Sequence, residues 1–218
     1  LFFSANDGGN NQSMPNGTEL WKSDGTANGT VMVKNINPTL PPSSLIHSSP
    51  SSLTAVGSTL FFSANDGTNG TELWKSDGTT NGTVMVKDIY SGSGSSSPND
   101  LITIGGMLYF RANDGSTGFE LWKSDGTASG TVLVKDIRLG MNSSLYYTPG
   151  SVLRATTAIG SKIYFSANDG INGTELWESD GTTSGTVLVK DINPGSASCS
   201  AEYLTAVGST LYFVADDG

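Results

Sequence analysis

Short apolar runs separated by turn residues recur along the whole chain. In the stretch 53–89, four runs follow one another: Leu53–Val56, Leu60–Ala64, Glu72–Lys75 and Val84–Ile89. The links between them are rich in Gly, Asn and Asp, which accept turn and left-handed backbone angles. Short links between consecutive strands produce an antiparallel meander. The pattern therefore predicts a sheet of four strands, named A to D here in chain order.

This unit is repeated. The phrase Glu-Leu-Trp-Lys-Ser-Asp-Gly-Thr occurs four times, with Glu178 in place of the lysine in the last copy. A period of about 50 residues, with each four-stranded sheet packed between its copies, is typical of a β-propeller. We expect an all-β fold, a β-propeller-like array of four-stranded antiparallel blades. A β-solenoid or an open repeat filament is the alternative, although a solenoid usually has a shorter coil.

The repeat divides the chain into three whole blades and two partial ones. Whole blades are expected at 53–89, 101–137 and 156–192, a partial blade with strands B to D at 1–36, and a partial blade with strands A and B at 204–218. If the fifth A strand closed a four-bladed ring, the fifth B strand would have no place. We therefore expect the 218 residues to belong to a larger propeller or array.

The uncharged end segments Leu1–Ala5 and Leu211–Ala215 would then carry strand edges that need a partner. Natural proteins cover, charge or pair such edges, because bare edges promote aggregation. We expect them to pair with further repeats of the same polypeptide or with a neighbouring subunit.

Charge and composition exclude some partners. The net charge of −9 and the pI near 4.4 argue against nucleic acid and anionic lipid, which need clustered Lys and Arg. No apolar run approaches the roughly 18 residues of a membrane span, so no membrane insertion is expected. The lone Cys199 excludes an internal disulfide framework.

The residues that recur in every copy fit structural roles. A large ring at equivalent strand positions suits packing between adjacent blades better than a sugar-stacking surface. The Asp of each C-to-D turn is expected to accept hydrogen bonds from loop N–H groups. The recurring Asn-Gly-Thr sequences are interpreted as turn formers rather than glycan acceptors. The structural residues are Trp21, Trp74, Trp122, Trp177, Asp24, Asp77, Asp125 and Asp180.

The B-to-C turns leave calcium open as an alternative. Calcium favours clustered carboxylate, amide and carbonyl oxygens. Each turn offers a single carboxylate, and the alternating Asp and Asn of an EF-hand are absent, so turn architecture is preferred and no cofactor is expected. If calcium binds, its carboxylates are Asp7, Asp66, Asp114 and Asp169.

The repeated motif resembles that of a known protein family. Glu-Leu-Trp-x-x-Asp-Gly-Thr, followed by Gly-Thr and Val-Lys-Asp-Ile and preceded by Leu-Phe-Phe-Ser-Ala-Asn-Asp-Gly, resembles the ELWxxDGT-repeat family of large secreted bacterial proteins. The resemblance extends over the whole chain through four full motifs. It implies a secreted or cell-surface bacterial setting, often within a much longer polypeptide. The family supplies no catalytic residues to carry over.

Catalysis has little support from the residues. The only histidine, His47, lies in the Pro- and Ser-rich segment Pro38–Ser52, where a solvated loop residue is the preferred interpretation. The recurring carboxylates occur once per repeat, whereas a catalytic pair needs different groups converging at one place. We therefore expect that this chain is not an enzyme.

Variation between the copies collects in two kinds of link. The D-to-A links at 37–52, 90–100, 138–155 and 193–203 differ in length, and in a propeller they share one face with the B-to-C links. Recognition normally resides in loops that a rigid frame displays, although such loops also drift when nothing binds them. The candidate contacts are His47, Tyr90, Arg138, Tyr146, Tyr147, Arg154 and Tyr203.

We therefore expect a non-enzymatic extracellular structural or adhesive module that presents variable loops to a protein or glycan partner at the cell surface. One alternative is a calcium-dependent carbohydrate-binding module, which a chelator would inactivate. Another is a subunit of an extracellular filament or surface assembly, because open sheet edges can pair with another chain.

Overall fold

The computed structural model describes residues 1–6, 17–38, 47–145 and 156–218, and the regular structure in these ranges is β-strand. The strands form five antiparallel sheets. Sheet 1 contains β1 (Phe2–Asn6), β2 (Thr18–Lys22) and β3 (Val31–Lys34). Sheet 2 contains β4 (Ser51–Val56), β5 (Thr59–Asn65), β6 (Thr71–Ser76) and β7 (Val84–Lys87). Sheet 3 contains β8 (Asn99–Ile104), β9 (Met107–Asn113), β10 (Phe119–Ser124) and β11 (Val132–Lys135). Sheet 4 contains β12 (Thr156–Ile159), β13 (Lys162–Asn168), β14 (Thr174–Ser179) and β15 (Val187–Lys190), and sheet 5 contains β16 (Glu202–Val207) and β17 (Thr210–Val214).

Consecutive strands pair in every sheet, so the four-stranded antiparallel meander predicted from the sequence is confirmed. Two details differ from the predicted runs. Strand A of sheet 2 begins at Ser51 and contains a bulge, with Ser52 at a φ of 56°. Strand D ends at Lys87 rather than at Ile89, because the Ile89 amide donates to the Glu72 carboxylate and not to a neighbouring strand.

A hydrophobic core fills each space between neighbouring sheets. Between sheets 1 and 2, Leu20 and Val33 pack with Phe62 and Trp74. One sheet contributes to two cores through its strand B. In sheet 2, Phe62 faces sheet 1, whereas Phe61 belongs to the core shared with sheet 3. Side chains alternate between the two faces of a strand, so consecutive apolar residues are expected in a sheet that is covered on both sides.

The motif tryptophans pack against the preceding sheet. Trp74, Trp122 and Trp177 are 5–6% exposed and share cores with sheets 1, 2 and 3 respectively. Trp21 is only half-buried, so the expectation of four buried rings is wrong for this residue. The reason is geometric, because Trp21 belongs to the first sheet along the chain and has no preceding sheet among the described residues.

Lysines cross from each sheet to the next. The ammonium group of Lys34 donates to the Thr83 carbonyl at 2.7 Å and lies 5.8 Å from the centre of the Trp74 ring. Lys22 donates to the Gly78 carbonyl of the next sheet at 2.8 Å. The same pairs of contacts recur at the next two junctions through Lys87, Lys75, Lys135 and Lys123. These repeated contacts hold neighbouring sheets in one relative orientation.

The A strands of neighbouring sheets lie side by side. β4 contacts β8, and β12 contacts β16. Ser52 Oγ donates to Asn99 Oδ1 across the first of these contacts at 3.1 Å. Within the described ranges β16 pairs with β17 and not with sheet 1, so the fifth A strand does not close a four-bladed ring. Pairing of the outer edges with further repeats stays a prediction.

The burial of the rings gives the first prediction. We expect Trp74→Ala to lower the free energy of unfolding by roughly 3–5 kcal/mol, since it removes buried apolar surface and leaves a cavity. Trp21→Ala is the matched control and should cost clearly less. Denaturant-induced unfolding measures both. Equal losses for the two variants would contradict the packing described here.

Candidate functional site

The D-to-A links and the B-to-C turns lie together at one edge of the sheets, which we call the link face. In sheet 2, the Ser97 amide donates to the carbonyl of Thr71, the first residue of strand C, at 3.0 Å. The Thr71 amide in turn donates to Ser95 Oγ at 2.9 Å. Phe119 and Ser143 form the equivalent contact in sheet 3. The link is therefore fastened to the start of strand C.

A buried glutamate organises each of these links. Glu72, the first residue of the motif, is 0% exposed. One carboxylate oxygen accepts from the Ile89 amide at 2.9 Å and from Ser96 Oγ at 2.5 Å. The other accepts from the Ser96 amide at 2.9 Å. A single carboxylate thus ties strand C to both ends of the D-to-A link.

The same clamp recurs in all four copies. Glu19 binds Ile36 and Ser48, Glu120 binds Ile137 and Ser144, and Glu175 binds Ile192 and Cys199. These residues were not predicted from the sequence, because a glutamate in a strand normally faces solvent. A signal was present: Glu is followed by Ile after 17 residues and by Ser or Cys after 24 residues in three copies.

Burial changes the titration of the clamp. Removal from water raises the pKa of Glu19 and of Glu72 above the usual value, against the opposing effect of the hydrogen bonds that the carboxylates accept. The same cause raises the pKa of Glu120 to about 7. A carboxyl group with a raised pKa is destabilised in its charged form, so the Glu120 clamp is sensitive to pH near neutrality.

The aspartates of the C-to-D turns accept local hydrogen bonds. Asp77 Oδ1 accepts from the Thr79 hydroxyl at 2.7 Å and from the Thr79 amide at 2.8 Å, and both bonds lower the pKa of Asp77. Gly82 lies so close that a Cβ there would overlap the Asp77 carboxylate. Asp24, Asp125 and Asp180 make the same pair of bonds with Thr26, Thr127 and Thr182.

The B-to-C aspartates also face their own turns. Asp66 accepts from the amides of Thr68 and Asn69 and from the Asn69 side chain. Burial acts to raise the pKa of Asp66, but these hydrogen bonds outweigh it and the net shift is downward. Asp114 and Asp169 are held in the same way, whereas Asp7 lies outside the described residues. No group of three or more His, Cys, Asp or Glu residues within the described ranges is placed to hold a metal ion.

Three of the candidate contacts lie outside the described residues: Tyr146, Tyr147 and Arg154. His47 is half-buried, and its Nδ1 accepts from the Thr18 amide at 2.8 Å, so one ring nitrogen fastens the first link. Tyr203 is 50% exposed on β16 with a φ of 56°.

Tyr90 and Arg138 follow the buried Ile89 and Ile137 at successive sheet junctions. Each lies over a glycine of the next B-to-C turn, Gly115 and Gly170 respectively. The structure therefore places these two residues at equivalent positions along the link face rather than in one shared pocket.

A further cluster on the link face, centred on Arg111, was not predicted from the sequence. Arg111 stands where Ser63 and Ser166 stand in other copies, and it is 7% exposed. Its guanidinium donates to the Leu145 carbonyl at 3.2 Å, lies 4.3 Å from the centre of the Phe119 ring and is 3.8 Å from Asp100. Burial raises the pKa of Asp100 despite this arginine. The Ser-to-Arg change between copies was the available signal.

No helix long and apolar enough to cross a membrane is found in the described residues. No protein-family model matches the sequence, and no curated protein shows significant similarity to it.

The fold does match a solved structure, the crystal structure of the puromycin hydrolase S511A mutant complexed with PGG. The match has a TM-score of 0.50 at 15% sequence identity and covers 86% of this chain but 27% of the hydrolase chain. The N-terminal domain of that hydrolase is a β-propeller. The chain is therefore an all-β protein with β-propeller-like blades, and at this identity the likeness concerns the fold alone.

The raised pKa of Glu120 predicts a specific pH dependence. The folded state binds this proton more tightly than the unfolded state, so the stabilisation is complete below the unfolded pKa of 4.5 and is lost as pH rises through about 7. The contribution of Glu120 to the free energy of unfolding should fall by roughly 2 kcal/mol between pH 5 and pH 8.

Denaturant unfolding at the two pH values measures this change. Glu120→Gln should remove that part of the pH dependence, while Asp217→Asn, an exposed control, should leave it intact. An identical pH dependence in wild type and Glu120→Gln would contradict the assignment.

The contact between Gly82 and Asp77 predicts coupling between the two positions. Gly82→Ala should destabilise the protein by roughly 1–3 kcal/mol, because the added methyl displaces the Asp77 carboxylate from its turn. In the background of Asp77→Ala that cost should largely disappear. A double-mutant cycle measures the coupling. Strictly additive effects would show that the carboxylate does not occupy this position.

Proposed function

We propose that this chain is a repeat segment of the ELWxxDGT type that acts as a non-enzymatic extracellular module. Its blades form a rigid frame, and its link face contacts a protein or glycan partner at the bacterial cell surface. The acidic net charge of −9 fits such a partner better than nucleic acid.

One observation carries the proposal: the residues that recur are used internally, whereas the residues that vary collect on the link face. The motif glutamate clamps the link, the motif aspartate closes its turn and the lysines bind the next sheet. Groups engaged in this way are not available to a ligand. Variable and exposed residues such as Leu139 and Met141, at 81% and 80% exposure, lie in a D-to-A link instead.

The likeness to a hydrolase does not extend the proposal to catalysis. The matched region is about a quarter of the hydrolase chain, and the fold hosts many unrelated functions. The motif glutamates are buried in clamps, and the described aspartates of the B-to-C and C-to-D turns are bonded to their own turns. A reaction would need groups that converge on a substrate.

The proposal is tested by binding of the fluorescently labelled chain to intact cells and extracellular matrix of the source culture, measured by flow cytometry. We expect saturable binding that is lost in a link-face variant carrying Arg138→Ser, Leu139→Ser and Met141→Ser. The control is Asn81→Ala, an exposed change in a C-to-D turn at the opposite edge. Loss of binding in the control but not in the link-face variant would overturn the proposal.

A further inference from the structure

The Tyr90 side chain rests on two glycines of the link face. A Cβ built on Gly94, in the same D-to-A link, would overlap the Tyr90 ring, and so would a Cβ built on Gly115 of the next B-to-C turn. Gly115 has a φ of 83°, so its turn needs glycine for backbone reasons as well. Gly94 has no such positive φ, and the space required by the ring is what excludes a side chain there.

Comparison of the copies shows that this seat is specific to Tyr90. Ser95, the residue after Gly94, accepts a hydrogen bond from the first amide of strand C, and Ser143 and Ser198 do the same in sheets 3 and 4. These three serines therefore show which positions of the links are structurally equivalent. By this correspondence, Gly94 stands where the other links have Asn142 and Ala197. The only copy with a tyrosine directly after the clamp isoleucine also carries the glycine that makes room for its ring.

The backbone under Tyr90 is held in place by the glutamate clamp. The Tyr90 amide donates to Glu72 at 3.4 Å, and the preceding Ile89 amide donates to the same carboxylate at 2.9 Å. Tyr90 is nevertheless 36% exposed. An aromatic ring that is fixed before binding offers contact area at a low entropic cost.

The exposed neighbours of Tyr90 along the chain carry hydroxyl groups. Ser91 and Ser93 are exposed in the same link, and Ser116 is exposed next to the turn glycine that the ring contacts. These hydroxyls can hydrogen-bond the hydroxyl groups of a ligand. The carboxylates of Asp88 and Asp114 accept hydrogen bonds from their own link and turn, and their negative charge disfavours an anionic ligand.

We propose that Tyr90 is a stacking platform for a neutral hexopyranose ring of a glycan. The C–H face of the sugar lies on the exposed part of the aromatic ring, and the neighbouring serine hydroxyls hydrogen-bond its hydroxyl groups. This inference deepens the proposed function and rests on it, because it assigns the glycan class of partner to one junction of the link face.

The test uses the full 218-residue chain with defined sugars rather than cells. Saturation-transfer NMR and calorimetry are carried out with cellotetraose, mannotetraose and galactotetraose as neutral probes, and with a tetragalacturonate as the anionic probe. We expect at least one neutral tetrasaccharide to bind and the tetragalacturonate not to bind. Tyr90→Ala should weaken that binding by about tenfold or more, and Tyr90→Phe should retain most of it.

Gly94→Ala separates a platform from a purely structural tyrosine, because it displaces the ring while keeping it in the chain. It should weaken sugar binding while the circular-dichroism spectrum and melting temperature remain close to those of wild type. Tyr212→Ala, at an exposed tyrosine of sheet 5, is the matched control and should bind as wild type does.

Absence of binding to all three neutral probes, or binding that Tyr90→Ala leaves unchanged, would overturn the inference. Preferred binding of the anionic probe would overturn it as well. Cell-surface binding that depends on Arg138, Leu139 and Met141 would survive each of these results, so the failure of the sugar platform is distinguishable from the failure of the proposed function.

Discussion

The structure depends on a buried carboxylate at the start of each third strand. Glu72 and its counterparts are removed from water, which is costly for a charged group unless its hydrogen-bonding capacity is filled. At Glu72, backbone amides and one hydroxyl of the D-to-A link fill it. The clamped residues of the links, within the part of the chain that the structure describes, are therefore held by the blade beneath them although they lie outside the strands. This makes the link face a defined surface rather than a set of independent loops.

The junctions between sheets are also built from contacts that repeat from copy to copy. A lysine on strand D donates to a turn carbonyl of the next sheet and lies over its tryptophan, while the core beneath is filled from both sides. Neighbour-only packing of this kind makes the stability of a repeat array close to a sum of blade and junction contributions. Substitutions at one junction can therefore change the link face locally without altering the frame, as the Arg111 and Tyr90 neighbourhoods illustrate.

The sequence predicted the strands and their order well, because the apolar runs and glycine-rich turns are local signals. The burial of Trp74 and the local bonds of Asp77 follow from patterns within a few residues. The Glu72 clamp was not predicted, since its donors lie 17 and 24 residues away and, apart from the Ser96 hydroxyl, belong to backbone that any residue could supply. Arg111 was missed for a related reason: a single change between copies carries no periodicity, and its partners Phe119 and Leu145 come from other elements.

If the glutamate clamps order the link face, the amides that they bind must be protected from hydrogen exchange. NMR measures this at Ile89, Ser96, Ile137 and Ser144, which lie outside the strands but donate to the glutamates. We expect these amides to exchange within about tenfold of the rates of strand amides in the same blade. Exchange as fast as that of the exposed Ser91 amide would contradict it.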